Sequence, residues 1–372
     1  MAKLSHLAHR LYAHVQQAKL LPRSASVVVA CSGGPDSLAL LALLLELRPL
    51  LHLTVTAAHY EHGIRGAASI ADAAFVQQFC AERGVPCLLA HGDARAAAAA
   101  GGESLETAAR RLRYAFLERA RLRAGADWIL TAHHADDQAE TVLLHLLRGT
   151  GIDGLAGIRA RDEARHLVRP LLLFPKRELA AYCRAQGFSP RRDATNEVPD
   201  ALRNRVRLEL LPALLRGYNP SLRQGLCRLA RLAEEEGEAL ELWAAREAET
   251  MIVRLPAGPA HGERAAHFRL IEAPALRVSA ARALPHALCR RVLRRYLRAL
   301  GRVQDVSFER TEALCALLSG TTGQCVELPG LIVMNDRGWL RPAAPTARTE
   351  PMASPRIENE KEREEETDHD EG

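Results

Sequence analysis

The sequence lacks any apolar run of the roughly 20 residues that a membrane-spanning helix requires, so it predicts no transmembrane segment. It also lacks a secretory signal, because its amphipathic first 21 residues contain neither an apolar core nor a small-residue cleavage site. No two of the eight cysteines have CxxC spacing, and the histidines complete no zinc-like set. The sequence therefore predicts no metal-binding cysteine framework and no disulfides, but reduced thiols in a cytoplasmic protein.

Lysine is scarce as well, because only four of the 50 basic residues are lysines and the other 46 are arginines. The formal net charge of +5 is unevenly distributed, since residues 358–372 hold nine acidic and two basic side chains. This segment has a net charge of −7, and the remaining 357 residues carry +12. An arginine-rich body suits contact with phosphate or nucleic acid. A compositional bias toward arginine, alanine and leucine is an equally good explanation.

At 372 residues, with 48% hydrophobic and 26% charged side chains, the chain is long enough for two to three folded domains. Strands and helices alternate up to about residue 150. The predicted strands cover residues 27–30, 53–60, 85–91 and 127–134, and the predicted helices cover residues 38–47, 67–82, 104–125 and 135–149. This alternation predicts an α/β fold with a doubly wound parallel sheet, whose ligands bind beyond the carboxyl ends of the strands.

After about residue 215 the pattern becomes mainly helical. It predicts a charged helix over 229–252, a basic helix over 283–301 and a further helix over 308–320. Alternating residues over 323–342, with a turn at Asp336 to Gly338, predict a hairpin. Residues 343–372 are polar and acidic, which is typical of a disordered tail.

The segment SGGPDS lies between the first predicted strand and its helix. Small residues let backbone N–H groups approach a phosphate, and a helix N-terminus favours an anion. A carboxylate in such a cradle indicates Mg²⁺ that bridges to the phosphates. The segment lacks both the Gly-Lys-Ser/Thr ending of a Walker A loop and the GxGxxG of a dinucleotide loop. From the glycines alone, an ordinary tight turn stays open; as a nucleotide loop, its binding residues are Ser32, Gly33, Gly34, Pro35, Asp36 and Ser37.

This loop resembles the pyrophosphate loop of the N-type ATP pyrophosphatases, which cleave ATP between the α- and β-phosphates and adenylate a substrate. Later segments are similar, in order, to the motifs of the tRNA(Ile)-lysidine synthetase family over roughly residues 25–215. They are HYEHGIRG at 59–66, LETAARRLRYAFL at 105–117, TAHHADDQAETVLLHLLRGTGIDGLAGI at 131–158, RPLL at 169–172 and RRDATNEVPDALRNRVRLELLP at 191–212. The TAHHADDQAET block is far more specific than the six-residue loop.

The resemblance implies an adenine nucleotide alpha hydrolase-like fold and a ligase that acts in the cytoplasm. In this family ATP adenylates carbon 2 of the wobble cytidine in tRNA(Ile) with a CAU anticodon, and the ε-amine of free L-lysine displaces AMP. The product is lysidine, which changes the codon read from AUG to AUA. The family implies ATP as cosubstrate, Mg²⁺ and no membrane partner. It also implies a homodimer, for which the predicted helix at 229–252 is a contact candidate unless it is a solvated linker.

The resemblance also assigns candidate catalytic residues. Asp36 would help to bind Mg²⁺ and pyrophosphate. His133, Asp137 and Glu140 lie at a predicted strand end and on the following helix, where the two carboxylates share one face. They could hold Mg²⁺ or the lysine ammonium, or assist deprotonation of the amine. Capping of the helix by Asp136 and Asp137 is the alternative for part of this group.

Two arginines complete the predicted site. Arg113, in the predicted helix over 104–125, could stabilise charge on the phosphate or on the adenylated base, with a solvated helix face as the alternative. A basic helical edge is formed by Arg203, Asn204, Arg205 and Arg207. From this edge the resemblance selects Arg205 as a candidate contact to tRNA or to the active site.

These motifs predict three domains: an N-type ATP pyrophosphatase catalytic domain, a helical linker with a small substrate- or tRNA-binding domain, and the acidic tail, at 1–215, 216–342 and 343–372. Longer family members carry a further C-terminal domain, for which little room is expected here. A tRNA-thiolating relative is disfavoured because the chain has no CxxC pair, and a glutamine-dependent relative would need an amidotransferase domain. The alternative of another class is an RNA-binding protein without catalysis. The intact Asp36, His133, Asp137 and Glu140 argue against it.

Overall fold

The structure, a computed structural model, describes residues 4–63, 67–191, 201–262, 265–301 and 307–346. The chain divides into two units, Met1–Gly237 and Glu238–Gly372. The last strand reaches Pro345, so the predicted start of the tail at residue 343 is three residues too early. Residues 347–372 of that tail lie outside the described residues, as do residues 64–66 and 192–200 of two motifs.

The first unit is built on a six-stranded sheet. Its strands are β1 Ser26–Ala30, β2 Thr54–Glu61, β3 Cys87–His91, β4 Trp128–Leu130, β5 Arg161–Asp162 and β6 Leu167–Val168. Their order is β3-β2-β1-β4-β6-β5, and every pair is parallel except that of β5 with β6. The valines of β1 are fully buried because helices cover both faces of the sheet. The predicted doubly wound parallel sheet is confirmed.

Helices follow the strands as the sequence pattern predicts. They are α1 His6–Gln17, α2 Pro35–Leu51, α3 Ala67–Ala81, α4 Ala94–Gly101, α5 Leu105–Arg123, α6 Ala135–Leu147, α7 Ile152–Leu155, α8 Lys176–Ala185, α9 Ala201–Arg205, α10 Leu211–Gly217 and α11 Leu222–Met251. A π-helical turn, Val206–Leu210, joins α9 to α10. Ser104 caps α5, because its hydroxyl accepts the Thr107 N–H at 3.2 Å. Helix α2 is apolar on all sides, so it lies in the core.

The second unit contains a larger sheet than the predicted hairpin. Its strands are β7 Ile252–Leu255, β8 Gly258–Pro259, β9 Phe268–Leu270, β10 Ala273–Arg277, β11 Cys325–Leu328, β12 Leu331–Asp336 and β13 Trp339–Pro345. All of their pairings are antiparallel. The predicted turn joins β12 to β13 and contains Gly338 at a φ of +83°. The helices are α12 Val278–Arg282, α13 His286–Ala299 and α14 Phe308–Leu317, which confirms the helical character of this region.

Candidate active site

The segment from Ser32 to Ser37 connects β1 to α2 at the carboxyl edge of the parallel sheet. The Ser37 hydroxyl accepts the Ser32 N–H at 3.1 Å and donates to the Gly34 carbonyl at 3.0 Å, which folds the loop on itself. Gly33 has a φ of +83°, and an added Cβ would lie 3.2 Å from Val76 Cγ2, so only glycine fits without strain. Gly34 begins α2 without a side-chain cap, and Pro35 follows at the first helical position. This arrangement leaves the N-terminus of α2 suited to an anion.

Asp36 lies in the first turn of α2. Its Oδ2 is 3.5 Å from His134 Nε2, so Asp36 connects the loop Ser32–Ser37 to the start of α6. Its Oδ1 is buried and has no hydrogen-bond partner among the described residues. Because buried carboxylate oxygens are normally satisfied, this atom is suited to ligate a cation.

His134 caps α6. Its Nδ1 accepts the Asp137 N–H at 3.3 Å, and Asp137 Oδ2 accepts the His134 N–H at 3.1 Å, which completes a capping box. Burial by itself would lower the pKa of His134, but the hydrogen bond to Asp36 and the charges of Asp137 and Asp136 raise this pKa above its ordinary value. The capping alternative is thus correct for Asp137, although the cap residue itself is a histidine.

Glu140 is an almost fully buried carboxylate on α6, with 2% of its surface exposed. Arg207 Nε donates to Glu140 Oε1 at 2.8 Å, and Arg207 Nη2 donates to Asp137 Oδ1 at 3.3 Å. Arg203 Nε lies 3.6 Å from Glu140 Oε2. Burial would lower the pKa of Arg207, but its hydrogen bond to Glu140 and the charge of that residue raise it. The two predicted carboxylates therefore share one helix face, as expected, and one guanidinium bridges them.

The π-helical turn determines which arginines face this carboxylate pair. Val206 is buried with Ala139 and Val142 of α6, which anchors the turn against that helix. Arg207, the next residue, then contacts the carboxylates, whereas Arg205 is exposed and lies 3.8 Å from the exposed Glu209. Single π-turns are common at functional sites. Of the predicted basic edge, the structure thus brings Arg203 and Arg207 to the carboxylates and leaves Arg205 at the surface.

His133 lies in a positively charged part of the site. Its Nδ1 is 2.9 Å from Thr131 Oγ1. Burial lowers the pKa of His133 to about 3, and the charges of Arg169, Arg113 and Arg110 act in the same direction. His133 is therefore neutral near pH 7 and contributes hydrogen bonds rather than charge.

Arg113 lies on α5 beside Tyr114. The guanidinium carbon atoms of Arg113 and Arg110 are 5.4 and 5.0 Å from the centre of the Tyr114 ring, and the Tyr114 hydroxyl is buried without a hydrogen-bond partner among the described residues. Burial lowers the pKa of Arg113, and Arg110 adds to this effect. An arginine remains charged in a protein even so. Arg113 is thus a half-buried cation, and its charge helps to lower the pKa of His133.

Two residues of the site were not selected from the sequence. Arg169 follows β6 at the carboxyl edge of the sheet, is 6% exposed, and donates through Nη1 to the Arg159 carbonyl at 2.8 Å. Its place in the RPLL segment after a buried strand is the signal that could have identified it. Arg207 could have been identified from its spacing of four from Arg203, which predicts a shared helix face.

Comparison with known proteins identifies the family. The PP-loop domain family matches residues 4–214, and the TilS substrate binding domain matches residues 276–341. A tRNA(Ile)-lysidine synthase from Dehalococcoides mccartyi is 33% identical over 336 residues, which cover 88% of this chain and 68% of that protein. The chain belongs to the tRNA(Ile)-lysidine synthase family. The family predicted from the motifs is therefore confirmed.

Other tRNA(Ile)-lysidine synthases are more similar over a shorter range. The one from Symbiobacterium thermophilum is 44% identical over 239 residues, which cover 63% of this chain and 49% of that protein. The one from Geobacillus kaustophilus is 40% identical over 238 residues, or 63% and 51% of the two chains. The chain thus spans about half the length of these two relatives.

The solved structure of the U34-tRNA thiolase NcsA from Methanococcus maripaludis with its [4Fe-4S] cluster shares the fold. Its TM-score is 0.52 at 19% identity, over 61% of this chain and 79% of that one. This likeness supports the adenine nucleotide alpha hydrolase-like fold predicted for the first unit. In the part of the chain that the structure describes, no helix is both long and apolar enough to cross a membrane.

Proposed function

We propose that the chain ligates lysine to carbon 2 of the wobble cytidine of tRNA(Ile) with a CAU anticodon. In the first step the oxygen on carbon 2 of the cytidine attacks the α-phosphorus of ATP, and pyrophosphate leaves. In the second step the ε-amine of free L-lysine attacks carbon 2, AMP leaves with that oxygen, and the amine nitrogen loses a proton. The resulting lysidine changes the codon read from AUG to AUA.

One observation carries this proposal: the loop Ser32–Ser37 and the carboxylates of Asp137 and Glu140 lie at the same edge of the sheet. Asp36 contacts His134, and His134 caps the helix on which Asp137 and Glu140 lie. A cradle for the phosphates of ATP and a group that attracts an amine are thus held side by side. An adenylating ligase with an amine nucleophile needs both groups in one site.

The loop residues are suited to pyrophosphate and Mg²⁺. Loop amides and the hydroxyls of Ser32 and Ser37 would bind the phosphates, and the unpartnered Oδ1 of Asp36 would hold the ion. When bound, Mg²⁺ offsets the negative charge of the phosphates. Arg113 stabilises charge on the α-phosphate or on the adenylated base.

The carboxylate pair supplies the amine chemistry. Asp137 and Glu140 attract the lysine ammonium, orient its nitrogen and accept its proton. Arg207 and Arg203 hold the Glu140 carboxylate in position before lysine arrives. Neutral His133 hydrogen bonds within the site, and the exposed Arg205 is available for a phosphate of the tRNA.

The remaining predictions extend this proposal. The catalytic domain corresponds to residues 1–215, and residues 216–342 connect it to a small domain that binds substrate or tRNA. The protein acts in the cytoplasm, and a homodimer is the expected assembly.

The test is incorporation of labelled lysine into an unmodified tRNA(Ile) transcript with a CAU anticodon, in the presence of ATP and Mg²⁺. The control substrate is tRNA(Met), which shares this anticodon. Incorporation into tRNA(Ile) alone supports the proposal. RNA-dependent ATP consumption without lysine incorporation would leave adenylation intact but refute lysine as the nucleophile, and RNA binding without ATP consumption would indicate the non-catalytic alternative.

A pair of aspartate variants separates chemistry from binding. Asp36→Ala should lower tRNA- and lysine-dependent pyrophosphate release by about 100-fold or more, because a charged group at the phosphates is lost, while tRNA affinity stays nearly unchanged. Asp127→Ala is the matched control, since Asp127 accepts the Ser26 N–H at 2.8 Å at the opposite end of β1. Full activity of Asp36→Ala would refute the role given to Asp36.

A further inference from the structure

A cluster of metal-ligating side chains lies in the second unit, outside the site described above. It joins His286 and Cys289, one turn apart on α13, to Glu312 and Cys315, one turn apart on α14. One ligand atom each from His286, Glu312 and Cys315 lie within 4.8 Å of one another. The pattern was not visible as a sequence motif because each helix contributes only two of the residues.

Glu312 is oriented for a second contact. Arg290 Nε donates to Glu312 Oε1 at 2.5 Å, while Oε2 is the oxygen that faces His286 Nε2, at 3.8 Å. A hydrogen bond of this kind behind a ligating carboxylate fixes its orientation in metal sites. The salt bridge with Arg290 therefore leaves Oε2 directed toward the histidine and is compatible with a bound cation.

Cys289 lies next to this group, but its sulfur is not one of the ligand atoms that lie within 4.8 Å of one another. Cys289 is 4% exposed, and its thiol lies beside that of Cys315. Bound zinc displaces the proton of a thiol, so Cys315 beside the imidazole of His286 is competent as a ligand.

We propose that His286, Glu312 and Cys315 bind one zinc-class divalent cation. Imidazole, thiolate and carboxylate are all ligands of Zn²⁺, and hard cations such as Mg²⁺ avoid thiolates. With three protein ligands the cation would keep one position for water. The cation would connect α13 to α14 and stabilise the second unit.

The proposal is tested on the full chain, free of affinity tags, reduced, and stripped of metal. Titration with Co²⁺ should show one equivalent bound, with the intense d–d bands of tetrahedral coordination and a thiolate-to-cobalt charge-transfer band. Zn²⁺ should displace Co²⁺ and raise the Tm of the chain. Cys315→Ser should remove the charge-transfer band, and it should also abolish the rise in Tm. His286→Ala and Glu312→Gln should weaken Co²⁺ binding by about 10-fold or more.

Matched variants in the same unit control for general effects. Cys325→Ser removes another half-buried thiol, and His267→Ala removes another exposed imidazole. Both should bind Co²⁺ like the parent chain. If Cys315→Ser does not fold, Glu312→Gln tests the proposal instead. This substitution replaces one carboxylate oxygen of a half-buried side chain and creates no cavity.

Three results would overturn the proposal. Binding of less than one equivalent is the first, and a cobalt spectrum without a thiolate band is the second. The third is an affinity for Co²⁺ that the substitutions at His286, Glu312 and Cys315 leave unchanged.

Discussion

Glu140 and Arg207 show how one buried charge makes a site dependent on a single partner. The Glu140 side chain is 3% exposed, whereas that of Arg207 is 31% exposed. Arg207→Met leaves the carboxylate buried with only Arg203 nearby. We expect the free energy of unfolding to fall by about 2 kcal/mol, less than the about 3–5 kcal/mol for a fully enclosed pair, because Arg207 is partly solvated. Urea denaturation measures this difference.

Two further variants sharpen the comparison. Arg205→Met removes a neighbouring arginine whose partner is exposed, so it should cost less than about 0.5 kcal/mol. The double variant Glu140→Gln/Arg207→Met removes both charges and should recover at least half of the loss. If the loss of unfolding free energy in the double variant equals the sum of the losses in Glu140→Gln and Arg207→Met, the two residues are not coupled and the interpretation is wrong.

His133 makes stability depend on pH in one direction. In the unfolded chain its pKa is near 6.5, and in the folded chain burial lowers this pKa to about 3. The unfolded state therefore takes up a proton first as pH falls, so the stability from neutral His133 is complete above about 6.5 and is lost between about 6.5 and 3. His133→Asn keeps a nitrogen or oxygen near Thr131. Between pH 6.5 and 5 its free energy of unfolding should fall by about 1–2 kcal/mol less than that of the parent chain.

Unfolding curves at a series of pH values give this difference directly. The control is His9→Asn, which replaces an exposed histidine on α1 of the same unit. Parallel pH profiles for the parent chain and His133→Asn would show that His133 does not carry the effect.

At the scale of elements, the connection from β1 to α2 depends on the backbone of one glycine. Gly33→Ala forces a side chain into a φ of +83° and places its Cβ 3.2 Å from Val76 Cγ2. We expect a loss of about 1–2 kcal/mol in unfolding free energy and a several-fold increase in the KM for ATP, because the loop must shift. Gly84→Ala has a similar φ of +59° with no atom within 4 Å of the added Cβ, so it tests strain without crowding.

Gly84→Ala should cost a similar amount of stability but leave the KM for ATP unchanged. An equal rise in KM in both variants would mean that global destabilisation, and not the loop, explains the effect. Calorimetry and ATP-dependent pyrophosphate release provide the two readouts.

Elements with strong local signals could be predicted from the sequence, and those that depend on distant partners could not. The buried run at β1, the glycine loop and the apolar helix α2 were each evident from pattern. Helix α4 is not among the predicted helices, although Asp93 and Gly102 mark its ends as N-cap and left-handed C-cap. Strands β7 to β10 are short, and β9 and β10 pair with β13 far along the chain, so only the hairpin of their sheet was predictable.

The candidate site follows the same division. Asp137 and Glu140 are three residues apart on one helix, so their shared face could be predicted. Arg207 contacts them from a π-helical turn; its spacing of four from Arg203 predicts that the two arginines share a face, but not that this face meets α6. The metal-ligating side chains on α13 and α14 could not be predicted either, because they come together only when the two helices pack against each other.

At the scale of the whole molecule, charge is divided between an arginine-rich body and an acidic terminal segment. Residues 358–372 carry −7 and the rest of the chain +12. Because RNA is a dense polyanion, this segment should compete with tRNA for the basic surface. Deleting residues 358–372 should tighten tRNA binding by roughly tenfold at low ionic strength and steepen its dependence on salt. The gain should shrink as salt screens the charges.

A second variant separates the effect of the segment's length from the effect of its charge. In this variant the nine acidic residues at 358–372 are replaced by glutamine and serine. It should bind tRNA as the deletion does, because the effect depends on charge and not on the presence of the segment. Binding measured at several salt concentrations gives both affinity and slope. If the deletion and the neutral replacement leave both quantities unchanged, the acidic segment does not compete with RNA, and the net charge that governs association is that of the basic body alone.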